Sequence, residues 1–410
     1  MRPSRILSVV CAGAAVWLAA VPHGEASAHS GHAGELTVAV YGDSPYGLSN
    51  SDTSQVALTP QFIAAVNADP EVSDVLHVGD IHSGKSFCTV DYDSQIAVMW
   101  STFQDPLIYT PGDNEWADCH KKGEGGGKYN SATGAIDFVA NGSYAQGNPA
   151  TNLAQVRSTF FGKPGSTLGS GTLKVTSQAT EYDRHFPTDK NYVENVRWEQ
   201  HDIVFVTVNI PGGSNNDDDN WYGTPTKTQV QIDEIAQRTG ADARWIDEAF
   251  TYADHEHAQA VVIMEQADMW DLDGKNASHI ANYEPFISSI ASNTAAFGKP
   301  VLLMNGDSHA YRSDNPLSAT APCITESPAG EVACTTNLGL HPQFFGVANF
   351  HRLVVHGSTS PLEWLKLTIS ADDDNRDDGR IDDGNAVPTN SNSFGPFSWT
   401  RMNTYLVGAS

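Results

Sequence analysis

Basic residues are scarce in this chain. Its 23 lysines and arginines face 49 aspartates and glutamates, a formal net charge of −26. Duplex nucleic acid is held by clustered Lys and Arg on its phosphates, so that partner is excluded. The acidity suits solubility and the attraction of cations, and says nothing of fold. Long apolar runs are scarce too. The run from Ile6 to Val21 is short for a bilayer and soon meets polar residues, so no membrane span is expected. A Gly-x-Ser-x-Gly elbow, a P-loop and a His-Glu-x-x-His helix are missing, which sets aside three common hydrolase designs. No Cys-x-x-Cys pair occurs, which argues against thiolate zinc binding. No internal repeat is found.

What is present begins with an export signal. Arg2 and Arg5 precede the apolar run, and Ala26-Ser27-Ala28 forms a small-residue cleavage site, so residues 1–28 read as a signal peptide. Cys11 lies inside the run instead of at its end, which argues against a lipoprotein. A secreted or periplasmic protein is expected. Four cysteines then remain, Cys88, Cys119, Cys323 and Cys334, and an even count in an exported chain points to disulfides. Of three possible pairings, Cys88 with Cys119 and Cys323 with Cys334 is expected.

Strands near 35–42, 74–79 and 106–110 alternate with helices near 55–68 and 91–103, which predicts a layered α/β core. Residues 121–190, Gly-rich at Gly123–Gly127 with one helical piece near 150–160, read as an insertion roofing the site. Strands follow at 192–198, within 201–209, at 260–264 and at 300–304, with helices near 226–257 and 283–296. Asp217 to Asp219 read as solvated loop. Strands near 350–356 and 362–369 have the pattern of an antiparallel edge pair. The domain is placed at 29–370. Residues 371–410 read as an acidic, Pro/Asn/Ser-rich tail whose aspartates lack the spacing of a calcium loop.

Four of the strands end alike, at Gly42-Asp43, Gly79-Asp80, Gly112-Asp113 and Gly306-Asp307-Ser308-His309. A single Gly-Asp pair is a common turn. Glycine lets the chain leave a strand sharply and lets a loop or an ion come close. The carboxyl ends of strands are also where open α/β sheets keep their chemistry. If the strands are neighbours, four aspartates meet at one rim and repel one another until a cation neutralises them. A metal site is the economical explanation.

This series, with a polar strand end at Glu265-Gln266, resembles the calcineurin-like metallophosphoesterases. Their motifs read Asp-x-His, Gly-Asp, Gly-Asn-His-Glu/Asp, a lone His and Gly-His-x-His. The stretches HVGDIHSG, YTPGDNEWADCH, NGDSHAYRSDNPL and NFHRLVVHGS look like a divergent bacterial branch. The resemblance implies a two-sheet β-sandwich flanked by helices, and hydrolysis of a small-molecule phosphate mono- or diester by a metal-activated water. It implies metal ligands at Asp43, Asp80 and His309, with Asp80, Asp113, Asp307 and Gln266 around a second ion. The set departs from the family: Pro45, Asn114 and Asp307 stand where the family has histidines, and Asp113 where it has asparagine. Oxygen donors favour one or two Mn²⁺, Mg²⁺ or Ca²⁺ ions over Zn²⁺ or iron. Asn114 can hydrogen-bond a phosphate but cannot protonate a leaving group, which leaves His82 and His120 as proton donors and Arg312 as a phosphate grip. The departures also motivate a rival reading, a binding or structural protein that kept the sandwich and lost the chemistry. A calcium-dependent surface protein, resting on the acidic tail, is a third.

Overall fold

The computed structural model describes residues 35–271, 277–335, 341–344, 346–359, 362–370 and 392–404. The expected signal peptide and the acidic run 371–391 lie outside the described residues.

Two mixed sheets pack face to face. The first has six strands in the order Ser393–Phe394, Phe397–Thr404, Leu362–Ser370, Glu35–Tyr41, Val72–His77, Leu107–Tyr109. Its last three run parallel, with Val40 opposite Leu76 and Leu76 opposite Ile108. The second sheet has nine strands. Its centre is a parallel set of Ile203–Thr207, Ala260–Met264, Val301–Asn305 and Phe350–Val354. These central strands are covered on both faces, which is why they read as unbroken apolar runs.

Alternation assigns each face. Val38, Val40, Leu76 and Val78 meet Phe205, Val262, Met264, Leu302 and Met304 between the sheets. On the outer face of the first sheet, Ala39, Tyr41, Val75 and Tyr109 pack on helices Ser54–Asn67, Val90–Trp100 and Pro149–Phe160. On the outer face of the second, Val206, Val261, Ile263 and Leu303 pack on Gln229–His255 and Glu284–Phe297 through Trp245, Phe250, Phe286 and Ile290. Each fully buried Ile, Leu or Phe contributes about 1.5–3 kcal/mol. Side-chain caps at Thr89, Asn148 and Thr228 fix three helix starts. The result is a helix–sheet–sheet–helix sandwich whose two parallel strand sets point to one rim. No helix among the described residues is long and apolar enough to cross a membrane.

Three expectations are corrected. Strands 350–354 and 362–370 are not an edge pair: the first lies parallel to Val301–Asn305, the second antiparallel to Glu35–Tyr41 in the other sheet. Their alternation is genuine, but each finds a longer-range partner, and the chain crosses the rim between them. The domain does not end at 370. Phe397–Thr404 pairs with residues 362–369 and buries Phe397 and Trp399 between the sheets. Residues 121–190 are not simply a roof, because Leu153, Val156 and Phe160 belong to the core under the first sheet. Both expected disulfides are present, Cys88–Cys119 and Cys323–Cys334. The first ties the loop after Asp80 to the loop after Asp113.

Candidate metal centre

The rim brings the four Gly-Asp corners together. Asp43 donates its backbone N–H to the Gly79 carbonyl (3.0 Å), and its own carbonyl accepts from Ser358 across the two sheets (2.8 Å). The N–H of Asp307 reaches Asp43 Oδ1 (3.0 Å). Glu115 fastens the corners from below: one of its oxygens accepts from Gly112 N (2.7 Å), Asp80 N (3.2 Å) and the Tyr109 hydroxyl (2.5 Å). Gly112 and Gly306 are obligatory, because a Cβ there would overlap the carboxylates of Asp80 and Asp43. Asp43, Asp80, Asp307 and His309 all hold left-handed backbone, with φ of 47°, 60°, 70° and 62°. Such geometry costs on the order of 1 kcal/mol or more per residue and clusters at functional sites.

At one corner, ligand atoms of Asp43, Asp80 and His309 all lie within 4.8 Å of one another. His309 Nε2 is 3.6 Å from Asp43 Oδ1. Tyr46, which the sequence analysis missed, completes this corner. Its hydroxyl donates to Asp80 Oδ2 (2.6 Å), lies 3.2 Å from His309 Nε2 and accepts from the Asn114 amide (2.8 Å). The only sequence signal was a tyrosine three residues past Asp43. Asn114 also donates to Asp80 Oδ2 (2.8 Å), so its amide is spent on the site's own oxygens.

The other corner holds Asp113, Asp307 and Gln266. Here the amide nitrogen of Gln266 donates to Asp113 Oδ1 (3.1 Å) and Asp307 Oδ1 (3.3 Å), while its oxygen accepts from Gly212 N (2.5 Å). Gln266, expected as a ligand, instead acts as a donor bridging two carboxylates. Asp268, two residues further along that strand end, is tied to the buried Arg352.

Burial pushes the carboxyls of Asp43, Asp80 and Asp113 well above the usual range, and repulsion from Asp307, Asp113 and Asp118 respectively adds to it. Among the described residues no Lys or Arg forms an ion pair with them, Lys121 offsets the repulsion only in part and at Asp113, and Asp43 Oδ2 is buried without a hydrogen-bond partner. A divalent cation fits this deficit. Two carboxylates, a phenol and an imidazole suit a hard or borderline ion.

Two expected proton donors and the expected phosphate grip are engaged elsewhere. His82 is fully buried against Tyr92, with Nδ1 3.1 Å from the Ser83 carbonyl. Desolvation lowers its pKa to about 4, so at neutral pH it holds no acidic proton to give. His120 is a strut: Nδ1 accepts from Tyr222 N (2.9 Å), and Nε2 meets Asp219 (3.2 Å). Arg312 turns to Asp314 (3.8 Å) and the Cys323 sulfur (3.9 Å). Asp217 to Asp219 lie in solvated loop, as expected, and each also pairs, with Lys227, His279 and His120 respectively.

No family model matches the chain, and no curated protein does. Solved structures give loose likenesses. Over 82% of this chain and 64% of that one, it resembles the structure of PhoD, with a TM-score of 0.44 and 8% identity. Purple acid phosphatase PPD1, isolated from yellow lupin (Lupinus luteus) seeds, gives a TM-score of 0.32 and 10% identity over 84% and 52%. The chain thus spans less than two thirds of either. At these values neither a site nor an activity carries across.

Proposed function

We propose that this protein is an exported, metal-dependent phosphoesterase, a divergent member of the calcineurin-like metallophosphoesterases acting on a small phosphate mono- or diester. The observation that carries the reading is the Asp43–Asp80–His309 corner: left-handed ligands, buried carboxylates with no Lys or Arg ion pair among the described residues, and ligand atoms within 4.8 Å.

Asp43, Asp80 and His309 would hold one cation, with the Tyr46 hydroxyl beside them. When bound, it supplies charge neutralisation and lowers the pKa of a water. The chain's residues do the rest. Asp80, held by Asn114 and Tyr46, is kept in place when the ion leaves. Gln266 keeps Asp113 and Asp307 together at the far corner, where a second ion would have to displace its amide. Mn²⁺, Mg²⁺ and Ca²⁺ are the favoured ions on this donor set.

The test is hydrolysis of aryl phosphate mono- and diesters by the mature protein, titrated with Mn²⁺, Mg²⁺, Ca²⁺ and Zn²⁺ beside Asp80→Asn. Metal-dependent turnover, reduced more than about 100-fold by the substitution, is the expected result, since even outer residues of metal sites commonly cost 10–100-fold. Metal binding without turnover on any ester would favour the rival reading, a binding protein, which the replacements at Pro45, Asn114 and Asp307 motivate.

A further inference from the structure

One histidine of the HVGDIHSG stretch has no part in the site described so far. His77 ends the strand Val72–His77, and its side chain is fully buried. Rings surround it, with centroids 4.5 Å away at Tyr41, 4.9 Å at Trp100 and 5.6 Å at Tyr109. A phenyl ring would serve packing better in such a box, because a buried imidazole needs partners for its nitrogens. Those partners show what the histidine holds.

The two nitrogens reach two different metal loops. Nδ1 accepts from the backbone N–H of Gly79 (3.2 Å), the residue before Asp80. Nε2 lies 3.1 Å from the carbonyl oxygen of Ser44, the residue after Asp43 and two before Tyr46. A backbone N–H can only donate and a carbonyl can only accept, so these partners dictate a neutral ring with its proton on Nε2. An imidazolium would set a second N–H against that of Gly79. Desolvation acts in the same direction and lowers the pKa of His77 to about 3. The Gly79 carbonyl in turn accepts from Asp43 N (3.0 Å). Gly79 is therefore bound at its carbonyl by Asp43 and at its N–H by the ring that also holds Ser44.

We propose that His77 is the positioning residue of the cation corner, a neutral clamp that sets the Asp43 loop against the Asp80 loop. It touches neither ion nor substrate. Asp43 and Asp80 both hold left-handed backbone, with φ of 47° and 60°, and such residues persist only where their surroundings over-determine them. The clamp supplies that constraint beside each of them, so the two carboxylates already converge before an ion arrives. The inference rests on the metal part of the reading above and not on the ester chemistry.

Mn²⁺ affinity of three variants of the mature protein, measured by calorimetry, tests this. His77→Phe keeps a planar ring in the box and loses both hydrogen bonds, and its affinity should fall about 10–100-fold, as for residues that orient metal ligands. Asparagine places its oxygen near Nδ1 and glutamine its amide nitrogen near Nε2. His77→Asn therefore keeps the Gly79 bond, His77→Gln keeps the Ser44 bond, and each should recover part of the loss. A packing role alone reverses this order and makes His77→Phe the mildest of the three. Nitrogen NMR of the wild-type ring should show the proton on Nε2 from about pH 5 to 8. Affinity of His77→Phe within about twofold of wild type would overturn the assignment, as would a ring protonated on Nδ1, which the wild type reports even if a variant folds poorly. A wild type that binds Mn²⁺ but hydrolyses no ester would overturn the phosphoesterase reading alone; one that binds no Mn²⁺ would overturn both.

Discussion

At the corner of Asp43, Asp80 and His309, three ligand atoms converge and no amide stands between them. At the corner of Asp113 and Asp307, the Gln266 amide already bridges the carboxylates. Both corners come from the same strand-end pattern. They differ because one offers acceptors only, with donors arriving from outside through Tyr46 and Asn114, whereas the other encloses its own donor. On the reading proposed here, carboxylates whose donors come from flanking residues leave their facing oxygens for a cation, whereas carboxylates crowded around an amide hold the amide. A shared motif therefore does not imply a shared function, even within one rim.

The comparison can be broken in several ways. Tyr46→Phe removes the hydroxyl that joins Asp80, Asn114 and His309, and Mn²⁺ affinity should fall about tenfold, the lower end for an outer residue of a metal site. An unchanged dissociation constant in calorimetry would remove Tyr46 from the corner.

Smaller effects follow from the carboxyls. Asp43, Asp80 and Asp113 have folded pKa values above their unfolded ones, so the metal-free fold binds more protons than the unfolded chain. Stability contributed by these groups is present at low pH and is lost as pH rises through the raised values. Thermal unfolding in chelator should therefore worsen by a few degrees between about pH 5 and 8, and added Mn²⁺ should recover more at the higher pH. Stabilisation by Mn²⁺ that shrinks with pH would contradict the assignment.

Smallest of all is Arg312→Ala. Its guanidinium faces the buried Asp314 and a disulfide sulfur, so KM for an aryl phosphate should change by less than about twofold. A large rise in KM would return Arg312 to the substrate.

Much of this was legible in the sequence, and for a physical reason. Gly42-Asp43, Gly79-Asp80, Gly112-Asp113 and Gly306-Asp307 each follow an apolar strand, and a strand end fixes where its next residue stands. Cys88 and Cys119 follow two such corners and so meet. Side-chain direction was not legible. His82 and His120 sit beside the motifs in sequence, but one is turned into the core and the other onto Asp219. Gln266 was found, while the direction of its amide depends on Gly212, over fifty residues away. Tyr46 belongs to no motif in the sequence and so gave no signal beyond its place after Asp43. The strand Phe397–Thr404 did carry a signal, since Phe397, Trp399 and Arg401 alternate with polar Ser398 and Thr400, but the composition of the preceding acidic run masked it.

The most direct test of the account is metal stoichiometry by equilibrium dialysis with Mn²⁺ at neutral pH, for the wild type, Asp43→Asn and Asp113→Asn. One tightly held equivalent is expected, lost in Asp43→Asn and retained in Asp113→Asn within about fivefold in affinity. Two tight equivalents in the wild type, or loss confined to Asp113→Asn, would contradict the division of the rim into one cation corner and one amide corner.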